Sequence, residues 1–292
     1  MALTTVLISG LGLIGSSIAR VMKQSDEAPT ILGADPNDDT SQFMVDQHLV
    51  DERVTLTEAA GRADMIVLAG PVSIIVQQLK ELANLPLKAD VLVTDVGSTK
   101  TQVMQAAEGL RARHVAFMGG HPMAGSHQTG GRSGRVDLFD GATYFLVTGW
   151  QTAAQTAAFK RFLAPASLNW VTMSATEHDA LVSEISHVPH VLAANLVNTA
   201  AQQLQHDPVG LNAAAGGFKS TTRIAGSDPT MWTAIMLSNS EAITTQLTAY
   251  IDALQTIQTA IQHRDEPQIY QFFEHAQAVR QRLDSHEGGN NK

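Results

Sequence analysis

Cysteine is absent from the 292 residues. That absence removes disulfides, thiolate nucleophiles and zinc–thiolate sites together, and it is natural for a chain kept in a reducing compartment. Any redox chemistry must then be carried by a borrowed group. Positive charge is also scarce: 19 lysines and arginines stand against 28 aspartates and glutamates, a formal net charge of -9. With no basic field to gather a phosphodiester backbone, nucleic acid is not an expected partner. An anionic small molecule would need local cations, which draws attention to any arginine set among glycines and small polar residues. The apolar start of the chain has no basic stretch, and Gly10, Gly12 and Gly15 interrupt it too soon for a signal peptide or a membrane span. The expected location is therefore cytoplasmic. Tandem repeats are lacking too, and at roughly 100–200 residues per domain the length suggests about two domains.

Between Thr4 and about Met173, short β-branched runs alternate with helical patterns: Val6 to Ile8, Ile31 to Gly33, Met65 to Leu68, Val91 to Thr94, Val115 to Met118 and Tyr144 to Val147. The alternation predicts a parallel sheet covered by helices. After Ser174 the β pattern stops, and apolar residues recur at helical spacing, as in Ile243, Leu247, Ile251 and Leu254. An α/β domain over residues 1–173 followed by a helical domain over 174–292 is expected. The apolar content of the helical part exceeds what one small bundle needs for its own core, which favours a homodimer. The tail from Asp284 to Lys292 has the polar composition of a frayed end.

The first strand runs directly into Gly10-Leu11-Gly12-Leu13-Ile14-Gly15 and a helical stretch, which is a GxGxxG turn in its proper context. Gly10 suits the tight turn, Gly12 lets the backbone approach a pyrophosphate, and Gly15 allows close packing of helix and strand. Leu13 and Ile14 open the helix whose N-terminus would receive the phosphates. The second strand ends at Asp35, about twenty residues past the last glycine, where a carboxylate accepts from the ribose hydroxyls of a dinucleotide. Capping of the turn before Pro36 is the alternative use for Asp35. Pro36, Asn37, Asp38 and Asp39 bring no cation to hold a 2′-phosphate, which favours NAD over NADP.

Four further clusters could carry chemistry. Asp95-Val96-Gly97-Ser98-Thr99-Lys100 follows the fourth predicted strand, and Gly119-Gly120-His121-Pro122-Met123-Ala124-Gly125 follows the fifth. Open α/β sheets bind ligands at such strand C-termini. A neutral His121 could accept a proton there, and Ser98 could act with it or simply cap the next helix. A third cluster holds His178 and Asp179, then His187 and His190, which are three apart and share a helical face. His178, nine residues before His187, falls on the opposite face of an ideal helix unless Pro189 shifts the geometry. No HExxH pattern or carboxylate cluster accompanies these histidines, so substrate positioning is expected rather than a metal. In the fourth cluster, Gly216 to Trp232, Arg223 can present a planar fork to a carboxylate. Its alternative is an ion pair with Asp228.

Taken in order, GLGLIG, DVGSTK, GGHPMAGS, HDALVSEISHVPH and GGFKSTTRIAGSDPTMW resemble the prephenate dehydrogenase family of tyrosine biosynthesis, from about Thr4 to near Leu283. The resemblance implies a Rossmann domain plus a helical dimerisation domain. It also implies oxidation of prephenate by NAD to 4-hydroxyphenylpyruvate, carbon dioxide and NADH. It makes His121 the catalytic histidine that bonds the ring hydroxyl and takes its proton, and Ser98 the serine that orients that histidine beside the nicotinamide. His190 is then a substrate-positioning histidine with His187 as its companion, and Arg223 the carboxylate anchor. Some members append a regulatory ligand-binding domain, whereas this sequence stays helical after Ser238. Three other readings are open. Arogenate could replace prephenate as substrate. A β-hydroxyacid dehydrogenase would need a lysine that Thr176 to Asn198 does not contain. A catalytically silent NAD sensor would have no reason to hold Ser98, His121, His190 and Arg223 together.

Overall fold

The computed structural model describes residues 4–126, 128, 130–207 and 209–287, so part of the polar tail, 288–292, lies outside the described residues. The chain begins β1 (Thr5–Ser9), α1 (Leu13–Lys23), β2 (Thr30–Ala34), α2 (Asp38–Asp46), β3 (Glu52–Arg53), α3 (Leu56–Ala59), β4 (Met65–Leu68) and α4 (Val72–Leu82). It continues β5 (Leu92–Asp95), α5 (Thr101–Arg111), β6 (Ala116–Pro122), β7 (Thr143–Val147), α6 (Ala153–Phe162) and β8 (Asn169–Met173). Helices follow: α7 (Ala175–Val182), α8 (Val188–Gln203), α9 (Gly216–Thr221), α10 (Pro229–Ser238), α11 (Ser240–Gln262) and α12 (Glu266–Glu287).

The strands form one sheet in the order β3-β2-β1-β4-β5-β6-β7-β8. Its first six strands in this order are parallel, which is the doubly wound arrangement expected from the alternating pattern. The all-parallel expectation needs correcting at one edge: β7 runs antiparallel to β6, and β8 parallel to β7. Strand β1 shows why the first runs read as continuously apolar. Val6 and Ile8 join one buried layer with Ile18, Met22 and Ile31, while Leu7 joins the opposite layer with Leu32, Ile66, Leu79 and Phe117. Both faces of the strand are covered by helices, so its central residues Val6, Leu7 and Ile8 are all apolar and polar residues stand only at its ends. Each such fully buried aliphatic side chain contributes about 1.5–3 kcal/mol.

Two compact units are present, Met1–Ser240 and Glu241–Lys292. In the first, α7 packs on α5 and β7, and α10 on α4, so the helices that follow the sheet lie against its strand ends. In the second, α11 ends at Gln262, and the turn after it passes through Arg264, which has a φ of 54°. The Asp265 N–H closes that turn on the Ala260 carbonyl, and the Asp265 carboxylate then caps α12 through the Gln268 N–H. Ile251, Leu254, Ile261, Tyr270 and Phe273 of this unit are each more than half exposed.

The strand order reverses at β1, whose neighbours are β2 and β4, and the crevice there opens at the strand C-termini. Gly10 turns the chain at this point with a φ of 97°, and Gly15 lies so close beneath it that an added Cβ would stand 1.9 Å from the Gly10 carbonyl oxygen. Gly15→Ala should therefore lower stability by about 2 kcal/mol or more, whereas Gly12→Ala, with open space at its Cβ position, should stay within about 1 kcal/mol of the parent. Urea unfolding of the two variants checks the contrast; equal losses would mean that the turn relaxes at Gly15.

Candidate active site

The glycine turn leads into α1 with Gly12 at the N-cap and no capping side chain. The N–H groups that open the helix, from Leu13 to Gly15, therefore have no side-chain acceptor, and Gly12 leaves the space in front of them open. This is the cradle a pyrophosphate requires. Asp35 stands beside it in a double role. One of its carboxylate oxygens accepts from the Leu11 N–H at 2.7 Å and the other from the Asn37 N–H at 2.9 Å, so it both pins the glycine turn and caps the next one. Each oxygen keeps a lone pair for a ribose hydroxyl. Arg53, on the strand next to β2, is committed to Asp38.

At the end of β5 the Asp95 carboxylate is wholly buried. It accepts from the Gly97 N–H at 2.8 Å and the Gly120 N–H at 3.1 Å, and it pairs with Lys100, which is itself fully buried. Burial pushes the Lys100 ammonium below its usual pKa, and Asp95 works against that shift. The ladder between β5 and β6 ends at Met118, but β6 continues to Pro122 because β7 pairs with its last four residues, His121 facing Phe145. His121 thus lies within a strand rather than in the loop predicted after it. Asp95 holds Gly120 where β5 no longer can.

The ring of His121 meets His178, with Nδ1 and Nε2 2.9 Å apart, and the other ring nitrogen of His178 lies 2.8 Å from Asp179. Asp179 also reaches the start of α5, where no local side chain caps the helix. Its oxygens accept from the Lys100 N–H at 2.7 Å and the Thr101 N–H at 2.8 Å. Burial alone would raise the Asp179 carboxyl, but its bonds from His178, Thr101 and Lys100 prevail and hold it below the usual range. Burial, reinforced by His178, Lys100 and His187, drives His121 well below an ordinary histidine. Among the described residues Ser98 makes no side-chain hydrogen bond, and His178 holds the His121 ring instead.

Sequence periodicity placed His178 away from His187, and the structure overturns this. One turn of π-helix, Ser183–His187, joins α7 to α8. It precedes Pro189, whose ring would collide with the fourth preceding carbonyl in a regular helix, and its extra residue shifts the helical phase by about 100°. His178, Asp179 and His187 are consequently buried on one side, where the Asn239 amide nitrogen lies 2.8 Å from the Asp179 carbonyl oxygen and 3.2 Å from His187 Nδ1. His187, at 1% exposure, is driven by burial down to about 4.

His190 stacks on Trp232 at 3.5 Å between ring centres, and its Nδ1 lies 2.8 Å from the Ser186 carbonyl oxygen. Burial lowers its pKa, the Ser186 bond opposes this, and the charge of Arg223 adds to the lowering. Arg223 opens an exposed 3₁₀ turn, Arg223–Gly226, packed on α8. The alternative ion pair with Asp228 is not formed, since Asp228 caps α10 through the Met231 N–H and among the described residues Arg223 has no acidic partner. The Trp232 indole nitrogen is buried without a hydrogen-bond partner. His178, Asp179 and Trp232 stand within the clusters that the sequence singles out but carry no role there, and Asn239 lies outside those clusters. The Asp-Pro cap, which frees Arg223, was the one available signal.

Two family models cover most of the chain: the prephenate dehydrogenase nucleotide-binding domain matches residues 18–168 and the prephenate dehydrogenase dimerization domain matches 174–275. A prephenate dehydrogenase of Lactococcus lactis subsp. cremoris is 36% identical over 97% of this chain and 78% of that protein. Among solved structures, Aquifex aeolicus prephenate dehydrogenase in complex with hydroxyphenyl propionate and NAD+ aligns with a TM-score of 0.87 and 28% identity, over 97% of this chain and 99% of that one. A Synechocystis arogenate dehydrogenase aligns with a TM-score of 0.82 and 28% identity, over 96% and 100%.

The depressed His187 carries a pH signature. Unfolded histidine titrates near 6.5, so as pH falls the unfolded chain takes its proton first and stability declines from about pH 6.5 down to about 4, by about 3 kcal/mol in all. His187→Gln should flatten this part of the stability profile, measured by urea unfolding at stepped pH. An unchanged slope would mean that His187 is already charged in the folded protein.

Proposed function

Because the chain belongs to the prephenate dehydrogenase family, we propose that it oxidatively decarboxylates prephenate with NAD, giving 4-hydroxyphenylpyruvate, carbon dioxide and NADH in tyrosine biosynthesis. The observation that carries this reading is that the chain has both a half-buried imidazole, His121, held well below the ordinary histidine range at the C-terminal edge of the sheet, and an exposed arginine, Arg223, with no acidic partner among the described residues. NAD supplies the hydride acceptor, and the cradle of Gly10, Gly12, Leu13, Ile14, Gly15 and Asp35 has the donors and the space to hold it. With no cation at positions 36–39 and Arg53 committed to Asp38, the ribose edge favours NAD over NADP.

His121 presents Nε2 to the substrate, since Nδ1 faces His178. There it accepts the proton of the ring hydroxyl as that carbon is oxidised, and aromatisation of the ring drives the loss of carbon dioxide. Ser98, between β5 and α5, offers a hydroxyl not bonded to other described side chains at the same strand ends. Arg223 receives a substrate carboxylate as a bidentate pair. His190, with Nδ1 turned to the Ser186 carbonyl, keeps Nε2 for the substrate, as Trp232 keeps its indole N–H, and His187 packs edge-on against Trp232. The likeness to an arogenate dehydrogenase keeps arogenate, which has an amine in place of the side-chain ketone, as the second reading.

We assign residues 1–173 to nucleotide binding and 174–292 to substrate binding and dimerisation. The exposed apolar residues of Glu241–Lys292 support a homodimer. Among the described residues no helix is long and apolar enough to cross a membrane, and with no cysteine in the chain a cytoplasmic location fits.

NADH absorbance after mixing the purified protein with NAD and prephenate, with arogenate and NADP as parallel substitutions, tests the assignment. Fast NADH formation from prephenate is expected; activity with arogenate alone would change the substrate, and silence throughout would remove the reaction. His121→Asn should lower kcat by about 10²–10⁴ with little change in KM. Arg223→Ala should instead raise KM for prephenate by about 10–100-fold, and the reverse pattern would exchange the two roles.

A further inference from the structure

We infer that Asp179 and His178 form a positioning chain that fixes the tautomer of His121, leaving its Nε2 as the basic nitrogen. The inference rests on the reading of His121 as the proton acceptor. Its logic is a sequence of forced hydrogen-bond roles. The Asp179 carboxylate already takes two backbone N–H groups, from Lys100 and Thr101, and an ionised carboxylate can only accept. The His178 nitrogen 2.8 Å away, Nδ1, must therefore carry hydrogen. Burial keeps His178 uncharged, although Asp179 opposes this, so its Nε2 is bare. Facing that bare nitrogen at 2.9 Å, Nδ1 of His121 must be the donor, because two lone pairs cannot meet at this distance. A neutral His121 with hydrogen on Nδ1 has its lone pair on Nε2.

The same chain acts when the proton is transferred. The substrate hydroxyl loses its proton to Nε2, and His121 becomes an imidazolium while nothing leaves Nδ1. Its Nδ1–H then points at a neutral acceptor backed by a carboxylate, an arrangement that stabilises the cation. Other charges face His121 as well. Lys100 opposes the cation and is balanced by Asp95, while His178 and His187 oppose it only when they are themselves protonated, and burial disfavours that form of both. Asn239 gives His187 the opposite arrangement: its amide nitrogen lies near both the Asp179 carbonyl and His187 Nδ1, so His187 carries hydrogen on Nε2. His187 is thus an internal reference for the tautomer of its neighbours.

Long-range ¹⁵N–¹H correlation spectra of the histidine-labelled full chain, without substrate, read the tautomers directly, with His121→Asn, His178→Leu and His187→Gln assigning the signals. His121 is expected with hydrogen on Nδ1 in the parent and to lose that preference in His178→Leu. In the prephenate assay His178→Leu should lower kcat by about 100-fold or more, leave KM for prephenate and NAD within about threefold, and move the acidic limb of kcat to lower pH. His178→Gln, whose amide oxygen can replace Nε2 as acceptor, should recover part of kcat. Hydrogen on Nε2 of His121 in the parent would overturn the inference. So would equal losses in the Leu and Gln variants with an unmoved acidic limb, the result of a merely structural role. If the parent makes no NADH from prephenate, the spectra still decide the tautomer, and the substrate assignment alone fails.

Discussion

The carboxylate of Asp179 is the contact on which the site depends. Helix α5 starts at a strand end with no side chain of its own to cap it, so its first N–H groups need an acceptor from elsewhere in the fold. Asp179 comes from α7 to supply one, and in doing so ties the helices to the C-terminal edge of the sheet. Burying a carboxylate is costly, yet here each oxygen meets a backbone donor and one of them a histidine ring as well. Taking the group away would leave the buried Lys100 N–H without a partner, at about 1–3 kcal/mol, and would release the two imidazoles in front of it.

A second buried carboxylate, Asp95, does the matching work inside the sheet. It neutralises Lys100 and fixes Gly120, the residue before His121. Near these two carboxylates burial holds His121 and His178 below the ordinary histidine range, while Arg223, exposed, adds its charge to the lowering at His190. The site is therefore polarised along its length. Its dry end suits a base that must be neutral before it acts, and its wet end suits the capture of an anion from water.

Much of this was legible in the chain. Six apolar runs are strands because both of their faces are buried, and the glycine turn and Asp35 follow from steric and electrostatic needs confined to a few residues. What escaped depended on distant partners. Strand β3 has two exposed residues, too few to show a pattern. The direction of β7 is not written in its own composition, which is that of any buried strand. His178 was misplaced because a helical wheel assumes an unbroken phase, which the π turn before Pro189 does not keep. Arg223 could have been read more sharply, since Asp228 followed by Pro229 is a helix start and an aspartate so engaged is a poor ion-pair partner.

The extension of β6 by β7 divides the labour of motion. His121 sits in a ladder, with Asp95 gripping the adjacent peptide, so the base behaves as a stator whose excursions are those of a sheet. Arg223 sits on a short exposed turn after a six-residue helix, and has the freedom of a surface element. Under the roles proposed above, the proton acceptor is the group fixed in the sheet and the carboxylate anchor is the group on the surface turn.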